Sequence, residues 1–135
     1  MFVADVSVMA SWCFPDEGHP HAEAALRRMA DEPAVVPMLL WFELRNVLLM
    51  AERRNRLSEA ETARFLNYVR ELPVEMDSAP DEIVVLGLAR THRLSVYDAV
   101  YLELAQRRTL PLATLDEALI DAARREKIPL VGEKS

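Results

Sequence analysis

Short apolar runs alternate with longer stretches of helical periodicity along this chain, and this alternation constrains its fold more than any other feature. The runs that predict strands are residues 2–4, 34–36, 74–76, 110–113 and 128–131. The stretches that predict helices are residues 7–14, 21–30, 38–54, 58–72, 80–93, 97–107 and 116–125. Short apolar strands are typical of a parallel sheet whose two faces are covered by helices. We therefore predict an α/β fold, a three-layer α/β/α sandwich around a central, mainly parallel sheet, formed by residues 1–135 as a single domain.

Composition excludes several other classes of protein. The 22 acidic and 16 basic residues give a net charge of -6, the opposite sign to that expected of a nonspecific duplex-DNA coating protein. Cys13 is the single cysteine, which rules out an internal disulfide and a cysteine-rich zinc site. No window approaches the roughly 20 apolar residues that a membrane span needs, and the first residues do not resemble a secretory leader. We therefore expect a cytoplasmic protein with no membrane partner.

Acidic residues stand where the strands end or where the following helices begin. Asp5 follows the first strand, and Asp116 follows the strand at residues 110–113. Asp98 and Glu43 lie near the starts of their helices. Ligands of open α/β sheets bind beyond the carboxyl ends of the strands, so we expect these acids to share one edge of the sheet.

Glu43 is the least expected of these acids. It interrupts the most apolar stretch of the chain, residues 38–44. An isolated buried carboxylate is costly, so this one needs a partner. Asn46 is three residues further along the same helical face, and we expect it to orient the Glu43 carboxylate.

Each acid also has a structural interpretation that requires no ligand. Asp5 and Asp116 are candidate helix N-caps, Asp98 is a candidate first-turn acid, and Glu43 is a candidate solvated residue beside a core face. Taken together, however, the acids would repel one another by up to about 4 kcal/mol per pair at 4 Å and an effective dielectric constant of 20. Protons or metal ions must neutralise such a cluster. Oxygen ligands select hard cations, here Mg²⁺ with Mn²⁺ as a substitute.

Four short segments occur in this order along the chain: Asp5-Val6-Ser7, Trp41-Phe42-Glu43-Leu44-Arg45-Asn46, Ser95-Val96-Tyr97-Asp98-Ala99-Val100-Tyr101 and Thr114-Leu115-Asp116. Together they resemble the PIN-domain family, and the closest likeness is to VapC-type toxins of toxin–antitoxin systems. The resemblance covers essentially the whole chain. It implies a magnesium-dependent endoribonuclease that hydrolyses RNA phosphodiester bonds through metal-activated water.

The resemblance also implies roles for individual residues. The residues that match the family's catalytic and metal-binding acids are Asp5, Glu43, Asp98 and Asp116. The residues that match its supporting polar positions are Ser7, Asn46 and Thr114. The resemblance further implies a homodimer and a cognate antitoxin that blocks the site. Many relatives carry one more acid after the T-x-D motif, and Glu117 and Asp121 both stay open for that role.

The sequence indicates less about the substrate than about the acidic site. Its basic residues are 14 arginines and two lysines, and arginine suits phosphate recognition. The densest group is Arg53-Arg54-Asn55-Arg56, for which a solvated helix end is the favoured interpretation. Tyr97 is a candidate for stacking on RNA bases, whereas we expect Trp41 to pack in the core. Two other functions stay open: a non-catalytic PIN-like scaffold that binds RNA or protein, and a phosphohydrolase of small phosphate esters.

Overall fold

The sheet is parallel throughout. The structure, a computed structural model, describes residues 1–133. Its strands are β1 (Phe2–Ala4), β2 (Ala34–Pro37), β3 (Val74–Asp77) and β4 (Leu112–Ala113), in the spatial order β3-β2-β1-β4. Val3 of β1 pairs with Val35 on one side and with Leu112 on the other. The predicted α/β class and the parallel sheet are confirmed.

Seven α-helices connect and cover the strands within residues 1–133. They are α1 (Val6–Ser11), α2 (Pro20–Arg28), α3 (Leu39–Arg53), α4 (Glu59–Glu71), α5 (Glu82–His92), α6 (Val96–Arg108) and α7 (Glu117–Arg125). Local chemistry defines several of their ends. Ser58 and Glu61 form a reciprocal capping box at the start of α4. Asp5, Ser95 and Asp116 each accept a backbone N–H as the N-cap of the helix that follows.

The helices form the two outer layers of the sandwich. On one face, α6 lies across the sheet in contact with β1, β2 and β4, and both α5 and α7 pack against it. On the other face, α1 packs against α2 and α3, while α4 packs against α3. This is the three-layer α/β/α arrangement that the alternation of elements predicts.

Helix α6 is buried on almost every side. Ala99 and the five residues from Tyr101 to Ala105 are all buried, because the sheet covers one side of α6, and α5 and α7 pack against it. One of these five is a charged residue, Glu103, which accepts a hydrogen bond from Arg107. No helix in the described part of the chain combines the length and the apolar character needed to cross a bilayer.

The last predicted strand is reduced to a single bridge. Only Leu130 of the run at residues 128–131 pairs with the sheet, as an isolated parallel bridge to Leu112. The Leu112 N–H donates to the carbonyl of Pro129, and the Val131 N–H donates to the carbonyl of Leu112. Pro129 itself has no N–H, so it contributes no donor to a longer ladder.

The strand order also determines where a ligand site is expected. From β1 the chain proceeds to β2 and then β3 on one side, and it later returns to place β4 on the other side of β1. The switch between the two directions therefore lies between β1 and β4. A crevice opens at the carboxyl ends of the strands at such a point. Asp5 directly follows β1, and Thr114 directly follows β4.

Candidate active site

Asp5 lies at the centre of the polar groups in this crevice. Only 4% of its surface is exposed. Its Oδ1 accepts hydrogen bonds from Ser7 Oγ at 2.6 Å and from the Val8 N–H at 3.1 Å, and its Oδ2 accepts one from Thr114 Oγ1. Burial nevertheless raises the pKa of Asp5 to about 6, because the loss of hydration outweighs the three hydrogen bonds that favour the charged form.

Ser7 and Thr114 join the ends of β1 and β4. Thr114 Oγ1 donates to Asp5 and accepts the Asp116 N–H at 3.0 Å. Ser7 Oγ donates to Asp5 and accepts the Leu115 N–H at 2.9 Å. Each hydroxyl therefore donates its single hydrogen to the Asp5 carboxylate, and its oxygen accepts a hydrogen bond from a backbone N–H of the segment after β4. Both residues were expected to support the acids, and both contact Asp5 directly.

Asp116 and Asp98 lie at the starts of α7 and α6, respectively. Asp116 Oδ1 caps α7 by accepting the Leu119 N–H at 2.9 Å. Asp98 lies in the first turn of α6, where its backbone N–H donates to Ser95 Oγ at 3.1 Å. The charge of Asp116 raises the pKa of both Asp5 and Asp98, with burial as the larger cause in each. The capping interpretation of Asp116 is thus correct, and it uses one of the two carboxylate oxygens.

Glu43 is held by a residue that the sequence interpretation missed. Tyr101 Oη donates to Glu43 Oε1 at 2.5 Å, from a tyrosine that is only 1% exposed. Burial raises the pKa of Glu43, and the charge of Asp98 raises it further. The expected orienting contact from Asn46 is therefore made by Tyr101. Asn46 is exposed and lines a separate cleft on α3.

Tyr101 also connects Glu43 to the other acids. Burial raises its pKa strongly, and the charges of Glu43, Asp5 and Asp98 raise it further in that order. Its hydroxyl therefore stays protonated and acts as a hydrogen-bond donor. The sequence carried a signal for this role, since Tyr101 follows Asp98 by three residues and so shares its face of α6.

The four acids form one electrostatic cluster. The charge of Asp116 raises the pKa of Asp5 and of Asp98, and the charge of Asp98 raises the pKa of Glu43. These pairwise repulsions link each of the four acids selected from the sequence to at least one of the others. Of the remaining candidates, Glu117 is exposed in the first turn of α7, and Asp121 is exposed beside Arg124 at 3.8 Å.

The donor set of this cluster fits a hard divalent cation. All of its charged donors are carboxylate oxygens, and three of the carboxyls have pKa values raised by desolvation and repulsion. A cation would relieve both effects. As they stand, no three acidic, histidine or cysteine side chains in residues 1–133 are grouped closely enough to hold a metal ion. Binding would therefore require the side chains to rotate toward the ion.

The raised pKa of Asp5 predicts an unusual dependence of stability on pH in metal-free buffer. Its pKa is 3.8 in the unfolded reference and about 6 when folded. Between these values the folded state binds more protons, so the free energy of unfolding falls as the pH rises. The Asp5 contribution amounts to about 2.4 kcal/mol between pH 4 and pH 7. Urea unfolding in EDTA at both pH values measures it.

An Asp5→Asn variant provides the comparison for this prediction. It cannot titrate at this position, so its stability should decline less than that of the wild type over the same interval. The raised pKa values of Glu43 and Asp98 do not depend on Asp5, so their contributions cancel in the difference. Parallel pH profiles for the two proteins would contradict the prediction.

A known protein family and solved structures are similar to this chain. The family model of the PIN domain matches residues 2–125. The crystal structure of PAE2754 from Pyrobaculum aerophilum is similar, with a TM-score of 0.70 and 23% identity over 90% of this chain and 84% of that one. A chain in a toxin–antitoxin complex from Klebsiella pneumoniae has a TM-score of 0.51 and 21% identity, covering 83% of each chain. These two likenesses concern the fold. No curated protein matches this sequence.

Proposed function

This chain belongs to the PIN-domain family, and we propose on that basis that it is a magnesium-dependent endoribonuclease, the toxin of a toxin–antitoxin pair. Members of the family are generally nucleases that use divalent metal ions. The observation that carries the proposal is a buried Asp5, held by Ser7 and Thr114 between the ends of β1 and β4, together with three further carboxyls linked to it by pairwise repulsion: Asp5 with Asp116, Asp116 with Asp98, and Asp98 with Glu43. Such a cluster is costly in a protein that binds no cation, and it suits one that does.

We assign the metal-holding role to Asp5, Asp98 and Asp116, with Glu43 beside them. Asp98 and Asp116 are partly exposed, so their oxygens are accessible from solvent. When bound, a divalent cation supplies Lewis acidity toward a phosphate oxygen and lowers the pKa of water. Ser7 and Thr114 hold the Asp5 carboxylate in one orientation through their hydrogen bonds.

Glu43 is the proposed general base. Its raised pKa makes it a stronger proton acceptor near neutral pH than an ordinary glutamate. Tyr101 occupies Oε1 as a donor, which leaves Oε2 to accept a proton from the attacking water. Tyr101 is thus a positioning residue that acts through Glu43. No covalent intermediate with the protein is needed.

Partners follow from the same proposal. The Klebsiella pneumoniae protein of similar fold comes from a toxin–antitoxin complex, which supports a cognate antitoxin for this chain. Large apolar side chains are exposed on two helices, with Phe42 of α3 at 60% and Ile83 of α5 at 82%, and exposed apolar groups of this size are found at protein interfaces. We propose that they serve a homodimer, which light scattering would detect as twice the mass of one chain.

The proposal is tested by incubating the purified protein with RNA. Phosphodiester cleavage is expected with Mg²⁺ or Mn²⁺, and EDTA should abolish it. A nucleotide monoester assayed in parallel should stay intact. RNA cleavage that persists in EDTA would refute the metal-dependent mechanism. Hydrolysis of the monoester alone would instead indicate a phosphohydrolase, and RNA binding without any cleavage would indicate a scaffold.

A further inference from the structure

A cleft of about 220 Å³ lies between the segment after α1 and the last turns of α3. Its polar and aromatic lining comes from Phe14, Asn46, Arg54 and Arg56, and we call it the arginine cleft. The volume is smaller than that of a typical small-molecule pocket of about 300–1,000 Å³. It suits part of an extended ligand better than a whole metabolite.

The backbone at the end of α3 places both arginines at this cleft. The Arg56 N–H donates to the Ala51 carbonyl and the Asn55 N–H donates to the Glu52 carbonyl, which is the pattern of a Schellman motif. Asn55 adopts the left-handed conformation that this motif requires, with φ of 60°. The motif stops the helix and turns Arg56 back toward α1. The arrangement is therefore more ordered than the solvated helix end that the sequence favoured.

Arg56 is held in place from two sides. Its guanidinium lies 4.4 Å from the centre of the Phe14 ring, in a cation–π contact. Its Nη2 lies 2.5 Å from Glu17 Oε1. The inner face of the guanidinium is thus covered by an aromatic ring, and one edge is paired. A guanidinium plane fixed in this way is a platform on which a nucleic-acid base can stack.

Arg54 supplies the net charge of the cleft. Within residues 1–133 its side chain forms no ion pair, whereas the charge of Arg56 is offset by Glu17. The cleft therefore carries one uncompensated positive charge on a protein whose net charge is -6. A free guanidinium beside a stacking platform matches a nucleotide, which joins a phosphate to a planar base.

The arginine cleft lies on the same stripe of α3 as Glu43. Asn46, Met50 and Arg54 follow Glu43 by three, seven and eleven residues, which is the spacing of one helical face. Eleven residues of α-helix rise about 16 Å. At about 3.4 Å per stacked nucleotide, a single strand would cover that distance in roughly five nucleotides.

We propose that the arginine cleft is a subsite for single-stranded RNA, which holds a nucleotide several positions away from the scissile phosphate. This inference rests on the proposed function for the location of the scissile phosphate. Arg54 binds a backbone phosphate, a base stacks on the outer face of Arg56, and the Asn46 amide hydrogen-bonds to the base edge. The subsite therefore selects unpaired RNA over duplex.

Fluorescence anisotropy with a labelled RNA of about 12 nucleotides, in EDTA so that nothing is cleaved, tests the binding step. Arg54→Ala should weaken binding about five- to tenfold and reduce the slope of log K against log salt concentration by about 0.7, as expected for one lost phosphate contact. Arg53→Ala is the matched control, because Arg53 is the exposed neighbouring residue outside the cleft. It should change neither quantity.

Arg56→Lys separates stacking from charge. The lysine retains the positive charge but has no planar face, so affinity should fall several-fold while the salt slope stays unchanged. Thermal melting of each variant verifies that it is folded. Two results would contradict the proposed subsite: an equal loss of RNA affinity in Arg53→Ala and Arg54→Ala, or wild-type RNA affinity in both Arg54→Ala and Arg56→Lys. Either result would favour a protein partner as the ligand of the cleft.

Cleavage of RNAs of different length links the subsite to the active site. Arg54→Ala should lower kcat/KM about five- to tenfold on a substrate of about 12 nucleotides, and should leave it unchanged on one too short to reach the cleft. If the wild type binds RNA through Arg54 but never cleaves it, the subsite stands and the proposed function fails. If it cleaves RNA with no dependence on Arg54, the reverse holds.

Discussion

An Asp98→Asn variant is expected to lose RNA cleavage while remaining folded. The substitution removes a charged oxygen ligand from the proposed metal site but preserves the size of the side chain. Loss of a residue that only supports a metal ligand typically costs 10–100-fold, so loss of a ligand should lower kcat/KM by more than about 100-fold. The Ser95 cap of α6 involves the Asp98 backbone N–H and is unaffected. Steady-state assays with Mg²⁺ measure the loss.

The same variant should be at least as stable as the wild type in metal-free buffer. Burial and the neighbouring charge of Asp116 both disfavour an ionised Asp98, and asparagine removes that charge. Its melting temperature in EDTA should therefore rise or stay constant, while the stabilisation that the wild type gains from added Mg²⁺ should shrink.

Asp31→Asn is the matched control for Asp98→Asn. Asp31 is exposed in the turn that precedes β2, at the amino ends of the strands and therefore at the edge opposite the acids. Its removal should alter neither cleavage nor the response to Mg²⁺. Retention of wild-type kcat/KM by Asp98→Asn, or an equal loss in the two variants, would remove Asp98 from the proposed mechanism.

Replacing Arg107 with alanine is expected to destabilise the fold by about 3 kcal/mol. Glu103, on α6, is 1% exposed, and its Oε1 accepts a hydrogen bond from Arg107 Nε at 2.6 Å. Arg107 also binds the Asp77 carboxylate through both terminal nitrogens, at 2.9 and 3.1 Å. Without Arg107, the one hydrogen bond left to the Glu103 carboxylate within residues 1–133 would come from the Asp81 N–H at 3.3 Å. A buried carboxylate that loses its cation is among the costliest of single changes.

The pKa shifts agree with this assignment. Arg107 holds the pKa of Asp77 below its usual value, and the two carboxylates raise the pKa of Arg107. Because Asp77 ends β3 and Glu103 lies on α6, Arg107 joins the edge strand β3 to helix α6. Urea unfolding at neutral pH measures the loss of stability.

Arg108→Ala is the matched control, because Arg108 pairs with carboxylates other than the buried Glu103. Arg108 lies 3.1 Å from Glu75, half of whose side chain is exposed, and 3.6 Å from Asp77, which keeps its pair with Arg107. We therefore expect this variant to lose about 0–1 kcal/mol. A similar loss of stability for the two variants would mean that the burial of Glu103 does not determine the cost.

The sequence predicted the layers of this fold well because its strands are short, apolar and separated by clear helical patterns. It predicted the run at residues 128–131 less well, because a pattern of apolar residues does not show how many backbone groups reach the sheet. Leu112 and Ala113 are the whole of β4, and Pro129 has no N–H to offer. Only a bridge forms there.

The sequence likewise predicted some parts of the candidate site and missed others. Chain direction alone predicted that Asp5 and Asp116 would share an edge of the sheet, and helix starts added Asp98 and Glu43. Spacing on a single helix suggested Asn46 as the partner of Glu43, but the actual partner, Tyr101, comes from α6, 58 residues away. The residue that contacts Glu43 from another layer is determined by how the layers pack together. The sequence of one helix does not contain that information. The buried Glu103 was missed for the same reason.

The hydrogen bond from Thr114 to Asp5 joins residues that are 109 positions apart. During synthesis the amino terminus emerges first, so Asp5 is made long before Thr114 and Asp116 exist. A nascent chain therefore contains Asp5 without the hydroxyl of Thr114 and the carboxylate of Asp116 until those residues have been made. If the acids cut RNA, a chain that has not yet reached residue 116 lacks one of its proposed metal ligands, so the site stays incomplete through most of the synthesis of this domain.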